Sequence, residues 1–218
     1  MSRLRYLLLV GLLAGLAAGV ATTVVQAPTV APLILAAEAF EPDHGAADHP
    51  HSSIERSALT LLANTLAGVG FGLLLAAGYN LRNRGGLRAG LGWGLAGFAA
   101  FYLAPALGLP PSLPGSALAE LGARQAWWLG TAVASAGGLA LLFLGRAAWL
   151  RICGAALLLL PHLIGAPRPD SPLVGPPAEL AHAFMLWSAL CAAVFWLVLG
   201  ALSGWLFARF TATAGAAR

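Results

Sequence analysis

The chain has 218 residues, of which 59% are hydrophobic and 9% carry a charge, and its mean hydropathy is +0.81. A soluble domain carries charge on about 25% of its residues, so this composition excludes an ordinary soluble protein. It also excludes a disordered chain, because so apolar a sequence buries more surface than its ordering entropy requires. All twelve basic residues are arginine, and the net charge of +4 reflects their placement along a membrane rather than nucleic-acid binding. The sequence therefore predicts an all-α polytopic membrane protein with a single transmembrane domain, residues 1–218.

Apolar segments of the length needed to cross a bilayer recur along the chain. A helix that crosses ~30 Å of hydrocarbon needs about 20 mostly apolar residues. Five segments qualify, in chain order residues 6–37, 59–81, 87–107, 127–144 and 180–207. We expect Pro28 and Pro32 to interrupt the first segment near its end, because proline removes a helical hydrogen bond.

A sixth segment is weaker, because only sixteen residues separate Arg151 from Arg168 and they include Pro161 and His162. If it only re-enters the membrane, five spans remain and the tail moves outside. Arginine placement favours six spans with both termini cytoplasmic, since cytoplasmic loops carry an excess of basic residues. In that topology nine of the twelve arginines lie inside, namely Arg3, Arg5, Arg82, Arg84, Arg88, Arg146, Arg151, Arg209 and Arg218. We therefore predict a six-span bundle in the cytoplasmic (inner) membrane.

This topology assigns each loop to one side of the membrane. Residues 82–86 form an inner loop, and residues 209–218 form a cytoplasmic tail. Residues 38–56, 108–126 and 165–179 form outer loops, and all eight acidic residues and all five histidines lie on the outer side. We expect the first helix to stay uncleaved, because its apolar stretch is about twice as long as that of a usual signal peptide. Cleavage would leave five spans.

Glycines are spaced for close packing between helices. They recur every four residues on the first, second, third and last spans, in the G-x-x-x-G pattern that lets helix backbones approach in lipid. These glycines are Gly11, Gly15, Gly19, Gly68, Gly72, Gly86, Gly90, Gly94, Gly200 and Gly204. The pattern predicts a tightly packed bundle and carries no information about a cargo.

The first outer loop carries the strongest chemical signal in the sequence. Its candidate metal ligands are Asp43, His44, Asp48, His49 and His51. Imidazole nitrogen and carboxylate oxygen suit divalent ions such as cobalt, nickel and zinc, and short His-rich tracts are typical of metal binding. The spacing matches no closed structural zinc site, so the loop is predicted to capture an ion rather than to hold a resident one. A second interpretation is that these histidines are solvated side chains of a polar loop.

Four polar side chains extend this signal into the spans. Gln26 and Asn64 fall in the outer half of the membrane, and His162 and His182 flank the last outer loop at a similar depth. Intramembrane polar groups usually face a bundle interior or a water-filled cavity, so these four residues are predicted to line the entrance of an ion pathway. Hydrogen bonding between helices is a second interpretation for Gln26 and Asn64. For His162 the second interpretation is a bond to a backbone carbonyl that Pro161 frees.

No motif for catalysis or nucleotide hydrolysis occurs in the sequence. The patterns G-x-x-x-x-G-K-[ST], G-x-S-x-G and H-E-x-x-H are absent, and no span contains a central Asp or Glu. We expect no catalytic residue and no resident cofactor. A lipid-directed enzyme is disfavoured because acidic motifs for Mg²⁺ are missing. The lack of a central carboxylate keeps open a second function, a non-transporting membrane scaffold or metal chaperone for a separate permease.

Longer motifs are specific enough to suggest a family. Pro32-Leu-Ile-Leu-Ala-Ala-Glu38 precedes the His/Asp-rich loop, and Leu103-Ala-Pro-Ala-Leu-Gly-Leu-Pro-Pro-Ser-Leu-Pro-Gly115 precedes Arg124-Gln-Ala-Trp-Trp128. Pro161-His-Leu-Ile-Gly-Ala-Pro167 and Pro177-Ala-Glu-Leu-Ala-His182 complete the set. In these motifs the chain resembles the CbtA-type predicted cobalt transporter subunits of bacteria over nearly its whole length.

The resemblance implies a function and a partner. It implies uptake of Co²⁺, as the transported substrate, for cobalamin biosynthesis. It also implies a small CbtB-type partner subunit with a single span and a His-rich end, and five membrane segments rather than six. Ser112 stands where the family pattern has glutamate in Pro-Pro-Glu-Leu-Pro-Gly, which leaves Glu120 as the nearest carboxylate of that loop.

Overall fold

The computed structural model describes residues 3–40, 53–169 and 175–216, and all regular secondary structure in these ranges is helical. The helices are α1 (Arg3–Glu38), α2 (Ser53–Arg82), α3 (Leu87–Phe98), α4 (Ala104–Gly108), α5 (Leu121–Leu144), α6 (Ala148–Ile164) and α7 (Ala178–Ala216). A five-residue π-helical turn, Ala99–Leu103, joins α3 to α4. The prediction of an all-α fold is confirmed for this part of the chain.

Five helical segments among the described residues are long and apolar enough to cross a membrane. They are Leu4–Glu38, Ile54–Arg82, Leu87–Gly108, Leu121–Leu144 and Ala178–Ala212. The sixth apolar helix, α6, has 17 residues. At ~1.5 Å per residue α6 is about 25 Å long, which is less than the ~30 Å of a hydrocarbon core. The chain is therefore a multi-pass membrane protein, and its sixth span and its orientation stay predictions.

Helix α1 continues past Pro28 and Pro32 to Glu38, so the expectation that these prolines interrupt it is wrong. Each proline removes one backbone hydrogen bond. Unwinding the segment would instead leave many backbone groups without partners in hydrocarbon, where each costs several kcal/mol. Losing two hydrogen bonds costs less free energy than unwinding the segment, so the helix continues through both prolines.

The contacts divide the described chain into two compact units. The first contains residues 3–28, 53–95 and 190–216, and the second contains residues 29–40, 96–169 and 175–189. Each unit is held together by its own close helix contacts.

In the first unit, the glycine face of α1 packs against α2. A Cβ atom on Gly11 would lie 2.6 Å from Cδ2 of Leu73, and one on Gly19 would lie 2.6 Å from Cα of Thr65. Gly15 is in backbone contact with Gly68. Carbon atoms pack at about 3.5–4.0 Å, so none of these positions has room for a side chain. The predicted close packing of these two helices is confirmed.

The glycine face of α3 packs against α7 in the same unit. A Cβ atom on Gly204 would lie 2.6 Å from both the carbonyl oxygen of Gly86 and Cα of Gly90. The Gly86 N–H donates to the Gly204 carbonyl oxygen at 2.7 Å. Beside this contact, the buried hydroxyls of Tyr79 and Ser203 are hydrogen bonded at 3.1 Å. Backbone approach and one buried polar pair therefore fix α7 within this unit.

In the second unit, α5 and α6 approach at one glycine on each helix. A Cβ atom on Gly138 would lie 2.7 Å from the Gly154 carbonyl oxygen, and the reverse distance is also 2.7 Å. Nearer the start of α5, Trp127 Nε1 donates to the Pro161 carbonyl oxygen at 3.3 Å. The glycine repeats singled out in the sequence do not include this pair, because neither helix repeats glycine at four-residue spacing here.

Candidate functional site

The five predicted ligands of the first outer loop, Asp43, His44, Asp48, His49 and His51, lie outside the described residues. Their role in ion capture therefore stays a prediction. Within residues 3–40, 53–169 and 175–216, no three His, Cys, Asp or Glu side chains are grouped so that they could hold a metal ion.

Gln26 and Asn64 come together in the first unit, where they form a polar cluster between α1 and α2. Asn64 Nδ2 donates to Gln26 Oε1 at 2.6 Å and to Thr23 Oγ1 at 2.9 Å. Thr23 Oγ1 in turn donates to the Gly19 carbonyl oxygen at 2.9 Å. All three polar side chains are half-buried. The structure thus contains the interhelical hydrogen bond that the sequence offered as the second interpretation.

The glycine face of α1 explains why this cluster forms. Thr23 and Gln26 are three residues apart, so their side chains lie on one face of the helix. Gly19, one turn earlier, allows the backbone of α2 to approach at Thr65, the neighbour of Asn64. The short amide of Asn64 therefore reaches across to α1. Thr23 was not predicted from the sequence, because its hydroxyl can bond to a carbonyl oxygen of its own helix.

Two polar atoms of this cluster remain available to another ligand. Asn64 Oδ1 and Gln26 Nε2 make no hydrogen bond within the described residues. The amide oxygen of Asn64 is a neutral acceptor with two lone pairs. The cluster therefore presents an acceptor and a donor side by side and carries no net charge.

The two predicted histidines of the second unit have different surroundings. His162 is half-buried and meets Trp127 edge-on, with ring centroids 6.0 Å apart and an angle of 70° between the ring planes. His162 makes no hydrogen bond within the described residues, so the alternative of a bond to a carbonyl freed by Pro161 is wrong there. His182 is exposed on the second turn of α7. The structure does not join these two histidines in a metal-binding group.

Glu120, the nearest carboxylate of the Pro/Gly loop, is the N-cap of α5. Its Oε1 accepts from the Gly122 N–H at 2.8 Å and its Oε2 accepts from the Ala123 N–H at 2.7 Å. These two bonds hold the pKa of the Glu120 carboxyl below its usual value, because they stabilise the charged form. Both carboxylate oxygens are thus committed to the start of the helix.

A cavity of about 810 Å³ opens beside the first turns of α5 in the second unit. One wall is a single face of α5 that includes Arg124, Gln125 and Trp128, and the other lining residues are 108–112, 116–119 and 167–169. These segments carry motifs of the family resemblance, but they were not predicted to form one site. The spacing of Arg124, Gln125 and Trp128 was the signal that they share a helix face.

Comparison with known proteins agrees with this architecture. A family model described as "Probable cobalt transporter subunit (CbtA)" matches residues 4–208. No curated protein and no solved structure matches the chain. Because the matched region is nearly the whole chain, and because the described helices can cross a membrane, the chain belongs to the CbtA family of probable cobalt transporter subunits.

Proposed function

We propose that this chain is the membrane subunit of an uptake system that carries Co²⁺ across the cytoplasmic membrane for cobalamin biosynthesis. The observation that carries the proposal is the family match over residues 4–208. Five span-length apolar helices supply the membrane part that such a subunit requires. A transporter subunit works with others, and the partner proposed here is a small, single-span, His-rich subunit of the CbtB type.

The first step of uptake is capture of the ion by the outer loop. His44, His49 and His51 would supply imidazole nitrogens, and Asp43 and Asp48 would supply carboxylate oxygens. Only neutral imidazole binds a metal, and the ordinary histidine pKa is about 6.5. Uptake at limiting cobalt should therefore weaken below about pH 6.

The second step is passage into the membrane past the polar groups Gln26, Asn64, His162 and His182. The free acceptor Asn64 Oδ1 supports this role, because a neutral oxygen can replace a water ligand of the ion without adding a buried charge. The membrane potential can drive the movement, since two charges crossing 100 mV yield about 4.6 kcal/mol.

A second function, a non-transporting scaffold or metal chaperone for a separate permease, is favoured by one observation. The acidic residues of the described helices, Glu38, Glu55 and Glu179, all lie within two residues of a helix end. The interiors of these helices therefore offer no carboxylate to a cation, although proteins that move cations through a membrane usually place one there. Such a protein would bind cobalt and move none.

Cobalt-57 uptake into metal-starved cells tests the proposal. The chain is expressed with and without the CbtB-type partner, as wild type and as a His44→Ala/His49→Ala/His51→Ala variant. A Ser52→Ala/Ser53→Ala variant, altered in the same segment but with its imidazoles intact, is the matched control. We expect partner-dependent uptake that collapses in the histidine variant and persists in the serine variant.

Other outcomes separate the parts of the proposal. Uptake that survives loss of the three histidines would refute the outer capture site and keep the transporter. Uptake by wild type that does not change between pH 7 and pH 5.5 would also count against histidine capture. Cobalt binding without uptake, for protein present in the membrane together with its partner, would support the scaffold instead.

A further inference from the structure

We propose that the cavity beside the start of α5 binds the phosphate headgroup of an anionic membrane lipid. The cavity measures about 810 Å³, and residues from three parts of the second unit line it. None of its lining residues belongs to the polar cluster of α1 and α2. It goes beyond cobalt transport and does not depend on it.

The charge of the cavity selects an anion. Arg124 and Arg168 both line it, and no carboxylate of residues 3–40, 53–169 or 175–216 does. Neither guanidinium makes a hydrogen bond or an ion pair within the described residues. Glu120, the neighbouring carboxylate, is bonded to the backbone of its own helix instead. Two cations in one cavity, with no partner among the residues that the structure describes, repel Co²⁺ and attract a negative group.

Arginine also suits phosphate in its geometry. The planar guanidinium can donate two parallel N–H bonds to two oxygens of one phosphate, which a lysine cannot do. Gln125 lies beside Arg124 on the same wall and can add an amide donor. The donors of this wall thus match the several acceptor oxygens of a phosphodiester.

The order of side chains along α5 favours a lipid over free phosphate. Arg124 and Gln125 are in the first turn of the span-length segment Leu121–Leu144, and Trp128 and Leu129 follow about one turn, ~5.4 Å, deeper. Trp128 is 39% exposed and Leu129 is 58% exposed. Polar donors in one turn, followed by an indole and an aliphatic side chain in the next, match the order from headgroup to apolar region in a phospholipid. A free phosphate would use only the first of these layers.

Helix ends place the cavity at headgroup depth. The segment Leu87–Gly108 ends at the cavity and the segment Leu121–Leu144 begins there. The ends of membrane-spanning helices lie where hydrocarbon gives way to polar headgroups. Basic pockets between spanning helices on the cytoplasmic side of membranes bind anionic lipid headgroups, and the same chemistry would operate at this depth on the outer side.

Native mass spectrometry of the full chain in detergent tests the site. Phosphatidylglycerol and phosphatidylcholine, which share acyl chains and differ in net charge, are titrated separately, and bound lipid is counted on the intact protein. An Arg124→Gln/Arg168→Gln variant is compared with Arg84→Gln/Arg88→Gln, which removes the same charge elsewhere. We expect wild type and the control to bind one phosphatidylglycerol at least about tenfold more tightly than phosphatidylcholine, and the cavity variant to lose this preference.

Two further measurements distinguish a lipid headgroup from free phosphate and separate loss of binding from loss of folding. Displacement of the bound phosphatidylglycerol by millimolar inorganic phosphate would overturn the lipid assignment in favour of a free anion. Equal binding of the two lipids by wild type, or equal losses in the two double variants, would overturn the site. Arg168→Gln alone changes an exposed loop residue and should weaken the preference severalfold without lowering the melting temperature.

Discussion

At the scale of single residues, Glu120 determines where α5 begins. N-caps are commonly Ser, Thr, Asp or Asn, whose short side chains reach the first free backbone N–H groups. Glu120 does this with a longer side chain and uses both oxygens, one for Gly122 and one for Ala123. The start of the helix thus depends on a charged carboxylate.

This dependence predicts a pH effect. The folded pKa of Glu120 is lowered, so its contribution to stability is present above the unfolded pKa of about 4.3 and is lost as pH falls through the folded pKa. Glu120→Gln should lower the melting temperature in detergent at pH 7, and the gap to wild type should close as pH falls through the lowered pKa of Glu120, where wild type itself becomes protonated.

Glu179→Gln is the control for this experiment. Glu179 is also exposed in the first turn of a helix, but its carboxylate makes no hydrogen bond within the described residues. Its substitution should leave the melting temperature nearly unchanged at both pH values. A gap for Glu120→Gln that is equal at pH 7 and at low pH would refute the role of its charge.

The sequence indicated which polar residues matter more clearly than it indicated which of them form hydrogen bonds with each other. Gln26 and Asn64 were predictable, because an amide in an apolar segment requires a partner. Thr23 was not, because a threonine hydroxyl can satisfy itself on the carbonyl four residues earlier and so signals no need. Arg124 on α5 and Arg168 on a loop line the same cavity, and no periodic pattern in the sequence encodes this placement.

At the scale of helices, the apolar stretches of the sequence predicted the existence of the helices better than the residues at which they begin and end. The fourth predicted span began at residue 127, but α5 begins at Leu121. The missed turns contain Arg124 and Gln125, which are polar yet helical because Glu120 caps the helix before them.

The third span was expected as one helix and contains a π-helical turn, in which the Ala104 N–H donates to the Ala99 carbonyl oxygen. That wider turn stands directly before Pro105, whose ring would otherwise crowd the preceding turn.

The glycine contacts give a prediction for α3, where two glycines lie two residues apart in opposite settings. A Cβ atom on Gly90 would collide with the Gly200 carbonyl oxygen, whereas one on Gly92 has no atom within 4 Å. Gly90→Ala should lower the free energy of unfolding by about 1–3 kcal/mol, because the helices must separate. Gly92→Ala should be neutral or should raise it by up to ~1 kcal/mol through helix propensity.

Unfolding of both variants in mixed micelles, by titration with a denaturing detergent, measures the difference. Because the residue change is the same, helix propensity contributes equally to the two variants. Equal stabilities would show that the α3–α7 backbone contact contributes nothing.

At the scale of the whole molecule, the number of spans depends on α6. Its 17 residues are few for a complete crossing, whereas the arginine distribution favours one. Hydropathy alone could not decide this, because a short apolar helix suits both a span and a re-entrant segment. The side of the membrane on which residues 209–218 lie is therefore the decisive observable.

Fusions to reporter proteins measure that side. Green fluorescent protein fused after Arg218 should fluoresce, and alkaline phosphatase at the same place should be inactive, because six spans return the tail to the cytoplasm. Fusions after Arg84, inside in both topologies, and after Ala119, outside in both, are the controls. An active phosphatase and a non-fluorescent protein at Arg218 would mean that α6 does not cross the membrane.

The two glycine interfaces of the first unit also set an order of assembly during synthesis. Helices α1 and α2 are consecutive in the chain, so their contact can form as soon as both have left the translocon. The glycines of α3 pack against α7, which is made only after α4, α5 and α6. Until α7 is made, the glycine face of α3 lacks the helix that it packs against. Their contact also requires closure of the long loop formed by the intervening helices. A nascent chain stalled before α7 would therefore expose that face to lipid and to membrane quality-control proteases.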